Sequence, residues 1–279
     1  MQAARHHHRF TVGATLFAAF LAAGPVWLRA ADPPKLTPEE KEAFLRTAKI
    51  EKVHEAKKGI TGTLQVTLSD GKITHEASVQ RIHESKTMFQ GADGTSEVNF
   101  KDFWEYNVAA WKLSRLLGID DMIAPSVERK YQGTSAAFTW WIEDVLMDEG
   151  DRKLKKLSSP DPDHWNAEMY VLRVFDQLIY NMDRSLRNLL IDKQWRIWMI
   201  DHGRAFRLHR TLKAPGDLVQ CYRSLLAKLK ALDQATLEKE LKPYLNKEEV
   251  KGLIARRDLI VKFFEGKGES VLYDRPPRT

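Results

Sequence analysis

Asn181-Met182-Asp183-Arg184-Ser185-Leu186-Arg187-Asn188-Leu189-Leu190-Ile191 continues through Asp192 to Trp198 and into Met199-Ile200-Asp201-His202-Gly203. Asp183 is followed five residues later by Asn188. Two short apolar runs then flank Lys193-Gln194, and a second acid, Asp201, stands before His202-Gly203. The apolar runs read as two strands of a hairpin, which brings Asn188 and Asp201 to the same end. An amide oxygen and a carboxylate placed together are hard ligands of the kind a small divalent cation takes. A plain hairpin also favours Asp and Asn at its turns. Two fixed spacings with two apolar flanks form a far more specific pattern than any one of these features.

Working outward, the chain changes character near its middle. Pro33 to Lys58 reads as a linker and a charged helix, started by Thr37-Pro38-Glu39-Glu40: a cap, a proline and then acids. Thr63 to Leu68 alternates, Ser69-Asp70-Gly71 turns, and Ala77 to Ile82 returns as the partner strand. Lys101 to Leu117 carries apolar residues at helical spacing and closes on Gly118. Ile123 to Arg129 and Ala136 to Val145 read as strands joined through Gln132-Gly133, and the charged stretch Asp148 to Asp163 as a crossing. Trp165 to Tyr180 is a core helix by its spacing, and Leu218 to Phe264 holds two or three amphipathic helices. A β-rich first half before an α-rich second half is an α+β pattern.

The stretch from Asn188 to Gly203 resembles the catalytic-loop-to-DFG segment of protein kinases, with His202 in the place usual for Phe. Asn181-x-Asp183-Arg184-x-x-x-Asn188 resembles atypical branches: HipA-like kinases, lipid-kinase-like proteins and secretory-pathway kinases of the Golgi casein-kinase type. That resemblance implies a two-lobed fold, with a small β-rich N-lobe over residues 59–147 and a larger helical C-lobe over 148–279. It implies Asp183, beside Arg184, as the catalytic pair, with Asp183 as base. Asn188 and Asp201 are then the ligands of Mg2+ or Mn2+, and ATP is the nucleotide.

The pattern departs from that family in the N-lobe. Gln80 stands where the phosphate-binding lysine is expected, and Asn107 where the helix glutamate is expected. Two amides hydrogen-bond but bring no charge to the phosphates. Lys86, just past the strand, and Glu105, two residues before Asn107 and its replacement under a shifted helix register, are the substitutes that keep ordinary electrostatics. Arg81 should face the opposite side of the strand. Ser185 replaces a common His. Gly59-Ile60-Thr61-Gly62-Thr63 offers two glycines for a phosphate loop, and Trp141 and Glu143 of Trp140-Trp141-Ile142-Glu143 are candidates for an adenine-binding hinge.

The bulk properties narrow the partners. Of a net charge of +6 over 279 residues, three positive charges (Arg5, Arg9 and Arg29) precede residue 31. The remainder is too balanced to point to nucleic acid. Arg5 to Arg9, the apolar run Phe10 to Ala23 and Leu28-Arg29-Ala30 follow the order of a secretory signal over residues 1–30. The expectation is export to the periplasm or medium with no stable membrane span after cleavage, an uncleaved anchor being the alternative. Cys221 is the one cysteine, so no internal disulfide forms. The functional expectation is an ATP-dependent kinase acting on a hydroxyl acceptor, a protein for preference. The alternatives are a nucleotide-binding pseudokinase scaffold and a kinase-fold enzyme that transfers AMP.

Overall fold

The structure, a computed structural model, describes residues 36–55, 63–91, 94, 96–276 and 278. The signal-like segment and the Gly59–Gly62 loop lie outside the described residues.

The first helix is set locally. Thr37 Oγ1 accepts from the Glu40 amide at 3.2 Å while Glu40 Oε2 accepts from the Thr37 amide at 2.7 Å, a reciprocal cap that starts α1 (Pro38–Thr47). α1 buries Phe44 and Leu45 against the sheet that follows. That sheet starts earlier than the sequence reading placed the lobe. Lys49–Glu55, read as linker because charges interrupt its apolar residues, forms β1. A register shift between Ile50 and Lys52 further blurs its alternation.

Next come β2 (Leu64–Ser69) and β3 (Thr74–Gln80), joined by a turn in which Asp70 Oδ1 accepts from the amides of Lys72 and Ile73 at 2.8 Å. β4 (His83–Gln90) and β5 (Ser96–Phe103) then form an antiparallel ribbon of their own. The helix expected from Lys101 begins at Glu105, as α2 (Glu105–Leu117). The amides of Phe103 and Trp104 are taken instead by the carbonyls of Gly203 and Ile82, at 2.9 and 2.7 Å. β6 (Ser126–Tyr131) and β7 (Thr134–Trp140) close on Gln132-Gly133, both at positive φ (50° and 86°), the turn that matches strand twist. The five-stranded antiparallel sheet has the order β1-β2-β3-β7-β6. The strand expected to run to Val145 breaks after Trp140, and Asp144 sits at φ 55° before β8 (Val145–Asp148).

The remainder is mainly helical. α3 (Glu149–Leu154) leads to α4 (Pro162–Ile179), which is capped by the Asp161 carboxylate and ends on Tyr180 in the left-handed region. β9 (Leu189–Asp192) and β10 (Ile197–Met199) make the hairpin expected from the apolar runs, and β8 pairs along β9. β11 (Cys221–Tyr222), α5 (Arg223–Ala231), α6 (Gln234–Leu241), α7 (Lys247–Lys267) and β12 (Leu272–Tyr273) complete the chain, with β11 and β12 paired in parallel. The architecture is α+β, an antiparallel sheet followed by a helical part.

Two cores correspond to these parts. Val66, Leu68, Val79, Val127, Phe138 and Trp140 pack with α1 in the upper one. Trp111, Phe175, Leu178, Phe206, Leu253 and Phe264 lie in the lower one. α2 touches β6 and β7 on one side and α5 and α6 on the other, so it ties the sheet to the helices and fixes Asn107 between them. Among the described residues, no helix is long and apolar enough to cross a membrane.

Candidate active site

α4 delivers the central loop. Once Tyr180 turns out of the helix, Asn181 is buried and bonds both ways: Nδ2 donates to Asp176 Oδ1 at 3.1 Å and Oδ1 accepts from the Asp183 amide at 3.0 Å. These bonds fix the loop backbone and turn the half-exposed Asp183 side chain outward. Asn188 Nδ2 donates to the Asp183 carbonyl at 2.9 Å, so its Oδ1 is the atom left for an outside partner. The hairpin then carries the chain to Asp201, held at φ 56° in a region costly for a non-glycine residue.

Arg184 binds these pieces together with all five of its donors. Nε and Nη2 take the two oxygens of Asp176 at 2.9 and 3.1 Å. Nη1 donates to the carbonyls of Asn188 and Ile200 at 2.7 and 2.9 Å, and Nη2 also meets His202 Nε2 at 3.2 Å. Arginine has no acceptor, so His202 accepts on Nε2 and carries its proton on Nδ1. Burial, and then the Arg184 charge, hold this imidazole well below its ordinary pKa, and it stays neutral. Arg184 is thus a positioning residue: its guanidinium faces the loop and hairpin, with no donor left over for a reacting group.

The two amides read as a substitute for the lysine–glutamate pair do not bond each other. They hold successive residues of one segment. Gln80 Nε2 donates to Asp201 Oδ1 at 3.3 Å, and buried Asn107 Oδ1 accepts from the His202 amide at 2.8 Å. The expected substitutes lie elsewhere. Lys86, on the exposed ribbon, pairs with Glu84 at 2.7 Å, and Glu105 meets His83 Nδ1 at 2.7 Å. Arg81 donates to Gln132 at 3.2 Å on the far side of β3, as the strand alternation requires. The hinge candidates sit at the other end of β3. The Trp141 amide donates to the Glu76 carbonyl at 3.1 Å, and Glu143 lies 3.3 Å from His75.

Asp102, at the end of β5, is a residue the sequence reading missed. With Thr63, Gln80, Ile82, Trp104, Asn107 and Asp201 it lines a cavity of about 10 Å³, room for a single water-sized species. Burial, and then the neighbouring Asp201, push its carboxyl up from the ordinary 3.8 to about 6. Asp201 is also raised, first by burial and then by Asp183, against the Gly203 amide, Arg184 and Gln80. Beside the loop, Arg204 Nη1 lies 3.8 Å from Asp183 Oδ2, and Arg204 and Arg207 both clasp Glu97 of β5 at 2.5 Å.

The Asp102 shift has a measurable consequence. A carboxyl raised in the folded state favours folding while protonated; that contribution is complete below about pH 4 and is lost as pH rises through 6. Asp102→Asn therefore matches the parent near pH 4 and is more stable at pH 7.5. The gain is about 1 kcal/mol once solvent screening of a partly exposed group is allowed for. Urea titrations at the two pH values measure this, and equal stability at pH 7.5 contradicts it.

The sequence matches no known protein family and no curated relative. Solved structures do match the fold. Fam20 from hydra, solved with a sugar, superposes with a TM-score of 0.62 at 16% identity, covering 85% of this chain and 92% of that one. A Golgi casein kinase gives 0.58 at 16% identity, over 86% of this chain and 79% of the other. The Helicobacter pylori proinflammatory kinase CtkA gives 0.51 at 10%, over 78% and 93%. The chain has an atypical protein-kinase fold. At these identities the likeness establishes the fold alone, and the chemistry rests on the residues of the site.

Proposed function

We propose that this kinase-fold chain is an exported, ATP-dependent phosphotransferase whose acceptor is a hydroxyl group, that of a protein. The observation that carries the reading is the meeting of Asp183, Asn188 and Asp201 around one arginine-stapled loop and hairpin, on a fold shared with kinases. The donor set fits a hard divalent cation: Asp201 and Asn188 offer oxygens, and Gln80 orients the Asp201 carboxylate. Among the described residues no three Asp, Glu, His or Cys side chains cluster as a complete metal cage. Magnesium sites beside nucleotides need only one or two carboxylates, because phosphate oxygens and water fill the remaining positions. Bound there, Mg2+ or Mn2+ supplies neutralisation of the phosphate charge.

The chain's own residues do the rest. Asp183, half-exposed and fixed through its backbone by Asn181, accepts the proton of the acceptor hydroxyl. Arg184 and His202 keep Asn188 and Asp201 in register. Trp141 and Glu143, at the end of β7 away from Gln80, would be the residues that hold the adenine. Export rests on the N-terminal basic and apolar sequence, and is in keeping with the likeness to a Golgi kinase.

A thermal shift with ATP and Mn2+ tests the nucleotide site. Ligand at about 100 times its dissociation constant stabilises the native state by about 2.7 kcal/mol, and Asp201→Ala should abolish the shift. No shift in the parent protein under Mg2+ or Mn2+ would count against nucleotide binding altogether. The uncharged Gln80 and Asn107 favour a second reading, a pseudokinase scaffold. ATP turnover that depends on Asp201 rules that reading out, and the mass added to the product separates phosphate from AMP.

A further inference from the structure

We infer that Asp102 is a second acidic ligand for the cation–nucleotide group, replacing from the end of β5 the carboxylate that α2 lacks. The inference rests on the nucleotide reading above. It concerns a residue from a ribbon strand, 99 positions before Asp201 in the chain.

α2 offers the cavity no acid. Asn107 has no charge, and its one oxygen is already taken by the His202 amide at 2.8 Å. Glu105 points to His83 on the other side. The helix therefore presents no free carboxylate to the cavity. β5 does. Its last turn into the site is held by the Phe103 amide donating to the Gly203 carbonyl at 2.9 Å, which sets Asp102 directly against Gly203. A Cβ on Gly203 would overlap Asp102 Oδ1 and stand 3.7 Å from Asp201 Oδ1. The glycine after His202 is thus what lets Asp102 come close beside Asp201. Among the described residues no side chain or amide donates a hydrogen bond to the Asp102 carboxylate, whereas Asp201 has Gln80.

The composition of the cavity specifies the ligand. Two carboxylates and two amide side chains, with Thr63, Ile82 and Trp104, surround room for one small species, and no lysine or arginine lines it. Oxygen-rich surroundings with two negative charges select a hard divalent cation over water or a monovalent ion. An acid at Asp102 also supplies the negative charge that Asn107 lacks. Where other kinases use a lysine to meet the phosphates, this site would meet them through the cation that its extra carboxylate retains.

The experiment is Mn2+ titration of the full chain, read by loss of the free-ion paramagnetic resonance signal, with and without ATP. Asp102→Asn should weaken Mn2+ binding in the presence of ATP roughly 10- to 100-fold, and Asp201→Asn at least as much. Gly203→Ala, which leaves the carboxylate in the chain but displaces it, should share the Asp102→Asn defect; it also serves if that variant does not fold. If Asp102→Asn and Gly203→Ala bind like the parent while Asp201→Asn does not, Asp102 has no such role and the nucleotide reading stands. If the parent binds no Mn2+ with ATP, both fall together.

Discussion

Asparagine at position 183 should lower phosphotransfer by about 10²- to 10⁴-fold, the range over which a positioned base contributes, and leave Mn2+–ATP affinity within about twofold. The substitution is nearly isosteric, and the bonds that shape the loop use the backbone of residue 183 rather than its carboxylate: its amide donates to Asn181 and its carbonyl accepts from Asn188. The side chain is 42% exposed, open to an incoming acceptor, and it lies outside the cavity that holds Asp201 and Asp102. Removing the carboxylate therefore takes away proton acceptance and little else. Arg204, 3.8 Å from Oδ2, keeps its second partner in Glu97, so the neighbouring segment should not collapse. Single-turnover transfer followed by mass spectrometry, with calorimetry of Mn2+–ATP, separates the two quantities. A variant that transfers at the parent rate removes Asp183 from the base role. A parent that binds nucleotide and transfers nothing supports the scaffold reading.

Part of this site was legible from sequence because part of it is local. Asp183, Asn188 and Asp201 fall within nineteen residues, and a short hairpin of fixed register connects them, so spacing alone conveys the geometry. The sheet pair β2–β3 and the Gln132-Gly133 turn were legible for the same reason. Asp102 was not. It comes from the β4–β5 ribbon, in which β4 is exposed over most of its length and β5 mixes exposed and partly buried residues, so neither shows the apolar alternation that marks a strand. The helical spacing beginning at Phe103 masked the strand further. Only tertiary contacts to Ile82 and Gly203 decide that residues 103 and 104 stay out of the helix. Gln80 and Asn107 show a different limit. Aligned against a lysine and a glutamate they suggested a mutual pair, whereas each amide found a partner in the Asp201-His202 segment. Substituted residues keep their places in a fold without keeping the contacts of those they replace.

Arg184 shows how costly such a contact network is to break. Arg184→Ala should destabilise the protein by about 3–5 kcal/mol, the usual cost of removing one partner from a buried ion pair. Asp176 and Arg184 are both largely buried, and only Asn181 Nδ2 would still donate to Asp176. The carbonyls of Asn188 and Ile200 and the Nε2 of His202 would lose their donor in the same step. Arg184→Lys should recover only part of the loss, because an ammonium has three donors and no planar fork to span Asp176, the hairpin and His202 at once. The double variant Asp176→Asn with Arg184→Met should be less damaged than Arg184→Ala, since it leaves no unpaired buried carboxylate. Urea unfolding of the three variants orders them. A loss below about 1 kcal/mol for Arg184→Ala would place the pair among surface bridges and remove Arg184 from its positioning role. A large loss, shared with weakened Mn2+–ATP binding in the protein that remains folded, would tie the stability of the loop to the placement of Asn188 and Asp201. The same arginine would then account for both the fold of this segment and the geometry of its chemistry.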